Sequence, residues 1–362
     1  MNENDLVVDW KDIQHYWRNN FSSRTDISLQ RYLEPGQLFS SGNTMGYAGI
    51  PLYHGIHKMT KEHRIHILVS HAHQLVDLMV RDLAMDQVPD IPLTMTESKY
   101  DYESTERIMT DRTMYQKLAK QVTQANKRQR KWMEAKMGWQ QAKRLLREKQ
   151  YVFVSLDIEA YEADHSILLE IGWTLYDSRH NKYLDQHYMM LPYRHLTNGK
   201  YVDDQRLSFA FGTSIWCTLQ QALDELYKDL AWATERDGGF VLVGHGLNSD
   251  LLYLKQCKFA WPVLENNTLA STLDVDQSAL VTIVNTDTLY GAYVGDMHNP
   301  PSLGRCLTLM DIDHFCLHNA GNNNKKNEWD HHSFFLFLLF VQGNDAHYTM
   351  ALMMKLLDKE ID

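Results

Sequence analysis

At Tyr151 the chain changes its period, and this limits the fold more than any other feature. From Thr113 to Gln150 there is no proline and one glycine, with Leu118, Val122, Trp132, Met133, Trp139, Leu145 and Leu146 scattered among charges. That stretch predicts one long, bent helix. Tyr151-Val152-Phe153-Val154-Ser155-Leu156 is then a short β-rich apolar run of the kind that fills the centre of a sheet. Strands are expected over 167–176 and 183–191, with a turn around Asp177 to Asn181. A helix over 216–236, a strand over 240–243, a helix over 247–258 and a strand over 280–285 follow. Ser302 is a suitable N-cap for a short helix over 303–310, and 345–358 is a strong closing helix. Three strands, then helix–strand–helix–strand–helix, predict an α/β domain: a mixed five-stranded sheet flanked by helices.

Residues 1–112 carry no usable motif. Asp9 to Asn19 and His66 to Met85 have helix-like spacing, while Pro35-Gly36 and Pro89 to Pro92 punctuate loops, so a mainly helical region is expected. Its histidines (His54, His57, His63, His66, His71, His73) match no zinc spacing and read as surface or core residues. The expected organisation is therefore a helical region 1–112, a long helix 113–150 and the α/β domain 151–362.

Length and composition set outer limits. At 362 residues the chain accommodates a domain of about 200 residues and a second, smaller unit. Hydrophobic content of 44% and charge of 23% are those of a globular protein. The four cysteines show no paired spacing and read as reduced thiols in an intracellular protein, cytoplasmic or nuclear. Met1 to Trp10 is acidic, without the apolar centre of a signal peptide. The longest apolar run, Phe334 to Val341, has eight residues where a bilayer span needs about 20, so no membrane association is expected. A net charge of −10 argues against a surface coated for polyanions, yet eleven Lys or Arg lie between Lys117 and Lys149 against Glu134 and Glu148 alone. Within that stripe Lys127, Arg128, Arg130 and Lys131 are candidate contacts to a phosphate backbone, or equally a solvated helix face.

The chemistry lies in acids placed at element ends. Asp157 and Glu159 end the first strand, and a spacing of two puts both on one face. Asp250 opens the helix after the fourth strand, behind Gly244-His245-Gly246, and Asp345 opens the last helix. Four carboxylates at one sheet edge suit two Mg²⁺ or Mn²⁺ ions, as used in phosphodiester hydrolysis. His318, of a residue type that titrates near neutrality, is the natural general base. Glu162 and Asp164 read as loop acids, Glu170 as a structural hydrogen-bonding group, and Asp287-Thr288 as turn chemistry. His347 and Tyr348 read as packing residues.

These motifs resemble the DEDDh exonuclease superfamily, which has a ribonuclease H-like fold and contains proofreading exonucleases and oligoribonuclease. The likeness is Asp157-Ile158-Glu159, then Asp250 behind a Gly-His turn, then His318-Asn319-Ala320-Gly321 joined to Asn344-Asp345-Ala346. More narrowly, Leu156 to Glu162 with Leu169-Glu170-Ile171-Gly172 resembles a fungal DEDDh-like domain. That domain is named after a yeast protein required for full activity of a DEAD-box RNA helicase in mRNA export. The resemblance covers about Tyr151 to Leu357. It implies Asp157, Glu159, Asp250 and Asp345 as ligands of two magnesium or manganese ions and His318 as base. The substrate class implied is nucleic acid, RNA ahead of DNA, with an export helicase as partner. Many members have His-Asn where this chain has His245-Gly246, which leaves a substrate or structural contact open. The tyrosine subclass is disfavoured, since the position four before Asp345 is Val341.

Residues Asn322 to Gly343 interrupt the third motif; without them His318 stands five positions before the aspartate. The segment opens on Asn322-Asn323-Asn324-Lys325-Lys326-Asn327 and closes on the Phe/Leu run and Gln342. Phe and Leu codons are pyrimidine-rich, a Gly-Asn codon pair can supply a splice donor and a Gln codon an acceptor. The favoured reading is a translated intron, because an exposed Phe/Leu run is an aggregation liability; the alternative is a genuine loop with an apolar plug. Two functions follow: a metal-dependent 3′–5′ exonuclease, impaired by the 322–343 insert, or a catalytically silent nuclease-fold module that binds nucleic acid or an export partner.

Overall fold

The computed structural model describes residues 3–20, 51–83, 90–109, 112–198, 207–264, 271–314 and 343–361. The chain divides into two compact units, 1–131 and 132–362. No helix among the described residues is long and apolar enough to cross a membrane.

The N-terminal unit is built on a five-stranded sheet of order β4-β1-β3-β2-β5. Its elements are β1 (Leu6–Asp9), α1 (Trp10–Asn20), β2 (Leu52–His57), β3 (His63–Leu68), α2 (Val69–Leu83), β4 (Thr96–Ser98) and β5 (Tyr102–Met109). Every pairing is antiparallel. The mainly helical expectation for 1–112 is thus corrected. Ile65 and Ile67 alternate with Arg64 and His66 at period two, but histidines at the alternate positions conceal the strand signal. Val8, Leu52, Ile65 and Ile67 pack on Trp10, Ile13 and Trp17 of α1 and on Leu75, Val76 and Met79 of α2. Asp9 starts α1, its Oδ1 accepting from the amides of Lys11 and Asp12 at 2.8 and 3.2 Å. The long helix α3 (Arg112–Glu148) gives Tyr115, Leu118 and Val122 to this core. It gives Trp139, Ala142 and Leu145 to the core of the second unit.

The C-terminal unit contains a six-stranded mixed sheet of order β13-β10-β6-β7-β8-β9. Strands β6 (Val152–Tyr161), β7 (Asp164–Asp177) and β8 (Lys182–Met190) form an antiparallel meander. β9 (Ser214–Cys217), β10 (Phe240–Gly244) and β13 (Leu280–Asn285) add in parallel, and β11 (Trp261–Pro262) pairs β12 (Ser271–Thr272) apart from the main sheet. The sixth strand was not expected. Its residues Ile215 and Trp216 are exposed, so β9 has no apolar alternation to announce it. Helix α4 (Leu219–Asp237) accordingly starts after Trp216, where Thr218 and Gln221 form a reciprocal capping box; Gly238, at φ 76°, ends it.

The helices α5 (Asn248–Gln256), α6 (Thr286–Val294), α7 (Leu303–Leu309) and α8 (Gly343–Leu357) complete the unit. Alternation along β6 sorts two cores. Val152, Val154 and Leu156 face α4 through Leu223, Leu226 and Leu230. Phe153 faces the other side, with Met350, Leu352 and Met353 of α8. The α/β class with a ribonuclease H-like order of elements is therefore present in the C-terminal unit.

Candidate functional site

Counting in twos from Phe153 along β6 brings Ser155, Asp157 and Glu159 to the α8 side of the sheet. Across the ladder Asp157 is opposite Gly172, and Glu159 is opposite Glu170. A glycine beside Asp157 leaves the strand surface there without a side chain. Asp250 arrives from the first turn of α5, and its Oδ1 accepts from the Ile158 amide at 2.9 Å. The turn that delivers it is specialised. Gly246 has φ +76°, and a Cβ on Gly244 would stand 2.6 Å from Leu247 Cβ. His245 anchors the turn, one ring nitrogen on Thr286 Oγ1 at 2.9 Å and the other on the Pro301 carbonyl at 3.0 Å. Its role here is structural.

Asp345 comes from the first turn of α8, which three contacts hold in place, two of them to the sheet. Ser155 Oγ donates to the Ala346 carbonyl at 2.6 Å. Asn344 Oδ1 accepts from the Ala210 amide at 3.1 Å. His347 Nδ1 meets Asp185 Oδ1 at 2.8 Å, and its ring stacks on Phe211 at 3.6 Å. His347 is thus more than packing: it fixes the helix that carries Asp345. Ser155→Ala should cost about 1–2 kcal/mol of stability, the range for losing a buried hydrogen bond, measured by chemical denaturation. A neutral result would show that the other two contacts suffice.

The electrostatics join these acids into one cluster. Burial pushes Asp157 well above the ordinary carboxylate range, and the charges of Asp345, Glu159, Asp250 and Glu170 push it further. Glu159 is raised by burial and then by Glu170, Asp345 and Asp250. Asp250 is pushed up to about 7 by burial, against the Ile158 amide, which favours its charged form. Sequence alone gives Glu170 a structural role only. It is structural, since His187 Nε2 meets its Oε2 at 2.9 Å with both side chains buried, and His187 Nδ1 continues to Ser214 Oγ at 2.8 Å. It is also a fifth acid acting on the site, visible only once the β6–β7 register is known.

Among the described residues no three or more His, Cys, Asp or Glu side chains stand ready to hold a metal ion. The donor chemistry nevertheless fits one. Carboxylates raised by mutual repulsion are hard oxygen donors whose charge a divalent cation would neutralise. His318, assigned as base, lies outside the described residues, as do all but the last residue of 322–343. Lys127, Arg128, Arg130 and Lys131 are exposed on α3.

Residues 152–325 match the family described as DNA polymerase III subunit epsilon-like, C-terminal domain, of DEDDh type. Over those residues the C-terminal unit is similar to a DEDDh exonuclease-like domain. The chain is 28% identical over 235 residues to an uncharacterized protein of Saccharomyces cerevisiae, covering 59% of this chain and 42% of that one. It is 29% identical over 177 residues to an uncharacterized nucleolar protein of Schizosaccharomyces pombe, covering 47% and 63%. It is 27% identical over 234 residues to Good for full DBP5 activity protein 2 of Saccharomyces cerevisiae, covering 59% and 37%. The chain thus spans less than two thirds of the length of each of these relatives. DEDDh domains normally use divalent metals, and the four acids on β6, α5 and α8 could hold them here.

Proposed function

We propose that this protein is a metal-dependent 3′–5′ exonuclease acting on nucleic acid, RNA ahead of DNA. One observation carries the reading: Asp157, Glu159 and Asp250, with Asp345, form one electrostatically coupled cluster on the DEDDh-like domain. Asp157, Glu159, Asp250 and Asp345 would hold two Mg²⁺ or Mn²⁺ ions. When bound, such ions neutralise charge on the phosphodiester oxygens during displacement. The Ile158 amide orients Asp250 toward β6. The His187 contact holds Glu170 in place beside the cluster. His318, through the family resemblance, would accept the proton of the attacking water. The exposed basic residues Lys127, Arg128, Arg130 and Lys131 supply charge for a phosphate backbone.

A second reading has its own support. One relative is named for supporting DBP5 activity rather than for hydrolysis, and another is described as nucleolar. This chain would then be a silent nuclease-fold module in the nucleus or cytoplasm, holding RNA or an export helicase. One experiment separates the two. RNA and DNA oligonucleotides of one sequence, 5′-labelled, are incubated with Mn²⁺ or with EDTA. The nuclease reading expects 3′-shortened products with Mn²⁺, faster on RNA, and none in EDTA. Retained binding without shortening under any metal establishes the silent module instead.

A further inference from the structure

The N-terminal sheet has one face covered by α1 and α2. Alternation sends Tyr53 and His66, which are register partners, to the other. There a cavity of about 550 Å³ is lined by Tyr53, His66, Tyr100, Tyr102, Lys58 and Lys99. Its volume suits a small organic ligand. Gly55 lets the His66 and Tyr102 rings close over the sheet, because a Cβ there would stand 2.8 Å from His66 Cε1 and 2.9 Å from Tyr102 Cδ1.

The lining is chemically uneven. Tyr53 stacks on His66 with centroids 6.0 Å apart and planes 16° apart, and Tyr102 lies 4.8 Å beyond. Tyr100 is 62% exposed at the rim. His66 is 7% exposed, yet its Nδ1 is buried without a hydrogen-bond partner. A buried ring nitrogen left unpaired is costly, and a ligand atom that reached it through a small shift of the surrounding rings would satisfy it. Burial lowers the His66 pKa to about 4, so the ring is neutral at physiological pH. Two cations border the rings. Lys58 Nζ donates to the Tyr100 carbonyl at 2.7 Å and forms no ion pair among the described residues. Lys99 Nζ is held by Asp5 at 2.6 Å and by the Asn4 carbonyl at 3.2 Å.

We infer that this face of the N-terminal sheet binds a nucleotide: a base against Tyr53 and Tyr100, its edge on His66 Nδ1, its phosphate toward Lys58 and Lys99. Flat rings accept any base by stacking, a neutral imidazole pairs with donor or acceptor edges, and ammonium groups take phosphate. An acidic peptide would use the lysines and leave the rings and His66 unanswered. The nucleotide is either free or one unit of a single strand.

The test uses the full chain in EDTA, so that metal-dependent hydrolysis plays no part. Binding of adenosine and uridine monophosphates, of RNA of about ten nucleotides, and of inorganic phosphate is followed by calorimetry. RNA, the mononucleotides or both should bind while phosphate alone does not. Tyr53→Ala and Lys58→Ala should each weaken binding about tenfold, the scale of one stacked base or one charged contact. His66→Phe should also weaken it while keeping the stack on Tyr53. Mononucleotide that displaces the RNA shows a free-nucleotide source, and RNA binding alone shows a strand. Lys58 is exposed, so its variant keeps the test open if His66→Phe fails to fold. Binding of neither mononucleotide nor RNA, or binding indifferent to Tyr53→Ala and Lys58→Ala, would overturn the proposal.

Discussion

Asp157→Ala should abolish metal-dependent hydrolysis and at the same time raise the thermal midpoint of the metal-free protein. Ordinary core substitutions do the opposite, so the pair of results is diagnostic. The wild-type Asp157 carboxyl is disfavoured as an anion by burial and by the neighbouring Asp345, Glu159, Asp250 and Glu170. Its replacement by a methyl group removes that repulsion. A carboxyl whose folded pKa exceeds its unfolded value binds a proton on folding. Its stabilising share is whole below the unfolded value near 4 and is lost as pH rises through the folded value, at about 1.4 kcal/mol per unit of difference. For Asp250 the loss runs up to about pH 7. The metal-free wild type should therefore lose stability between pH 5 and pH 7.5 relative to Asp157→Ala. Burial lowers the His66 and His245 values, which tilts stability the other way, so the difference between variant and wild type is the informative quantity. Mn²⁺ should close the gap at pH 7.5 by binding the folded state alone. Asp250→Ala should gain less, because it also loses the Ile158 hydrogen bond. A lower metal-free midpoint for Asp157→Ala would make that acid structural and remove the basis of the nuclease proposal.

Deletion of residues 322–343 should raise hydrolysis about 10²-fold, the scale associated with a misplacement of about 1 Å in a catalytic group. The gain should come through His318 rather than through the metal ligands. Asp345 stands in the first turn of α8, which Ser155, Asn344 and His347 hold to the sheet and to Ala210. None of those contacts uses the 322–342 stretch. His318 instead lies beyond it, and joining Gly321 to Asn344 restores the five-residue spacing. Mn²⁺ affinity should accordingly change little between the two forms while turnover changes strongly. The shorter form should also be more soluble without the Phe334 to Val341 run. Equal turnover would mean that the segment is an accommodated loop. Transcripts that retain codons 322–343 in most reads would end the intron explanation by themselves.

Two groups show where sequence reasoning ended. Glu170 was legible as a hydrogen-bonding acid in an apolar strand, but its effect on Asp157 and Glu159 depends on a β6–β7 register that nothing local encodes. Tyr53, His66 and Tyr102 give no joint signal in the sequence for a similar reason. They are far apart in sequence and meet only because β2 pairs with both β3 and β5.

What the sequence determined alone was everything short-range. The apolar run at Tyr151, the acids spaced by two at its end, the glycine turn before Asp250 and the helix opened by Asp345 are set by period, propensity and turn chemistry. These sufficed for the class of fold and for placing the four acids at element ends. Tertiary structure alone decided how the acids feel one another, why α8 holds Asp345 where it does, and that β1 to β5 join into one sheet. Pairing partners and burial are properties of segments brought together from distant parts of the chain. A strand whose alternate positions are histidines, or an edge strand with exposed Ile215 and Trp216, carries too little hydrophobic periodicity to declare its partner beforehand.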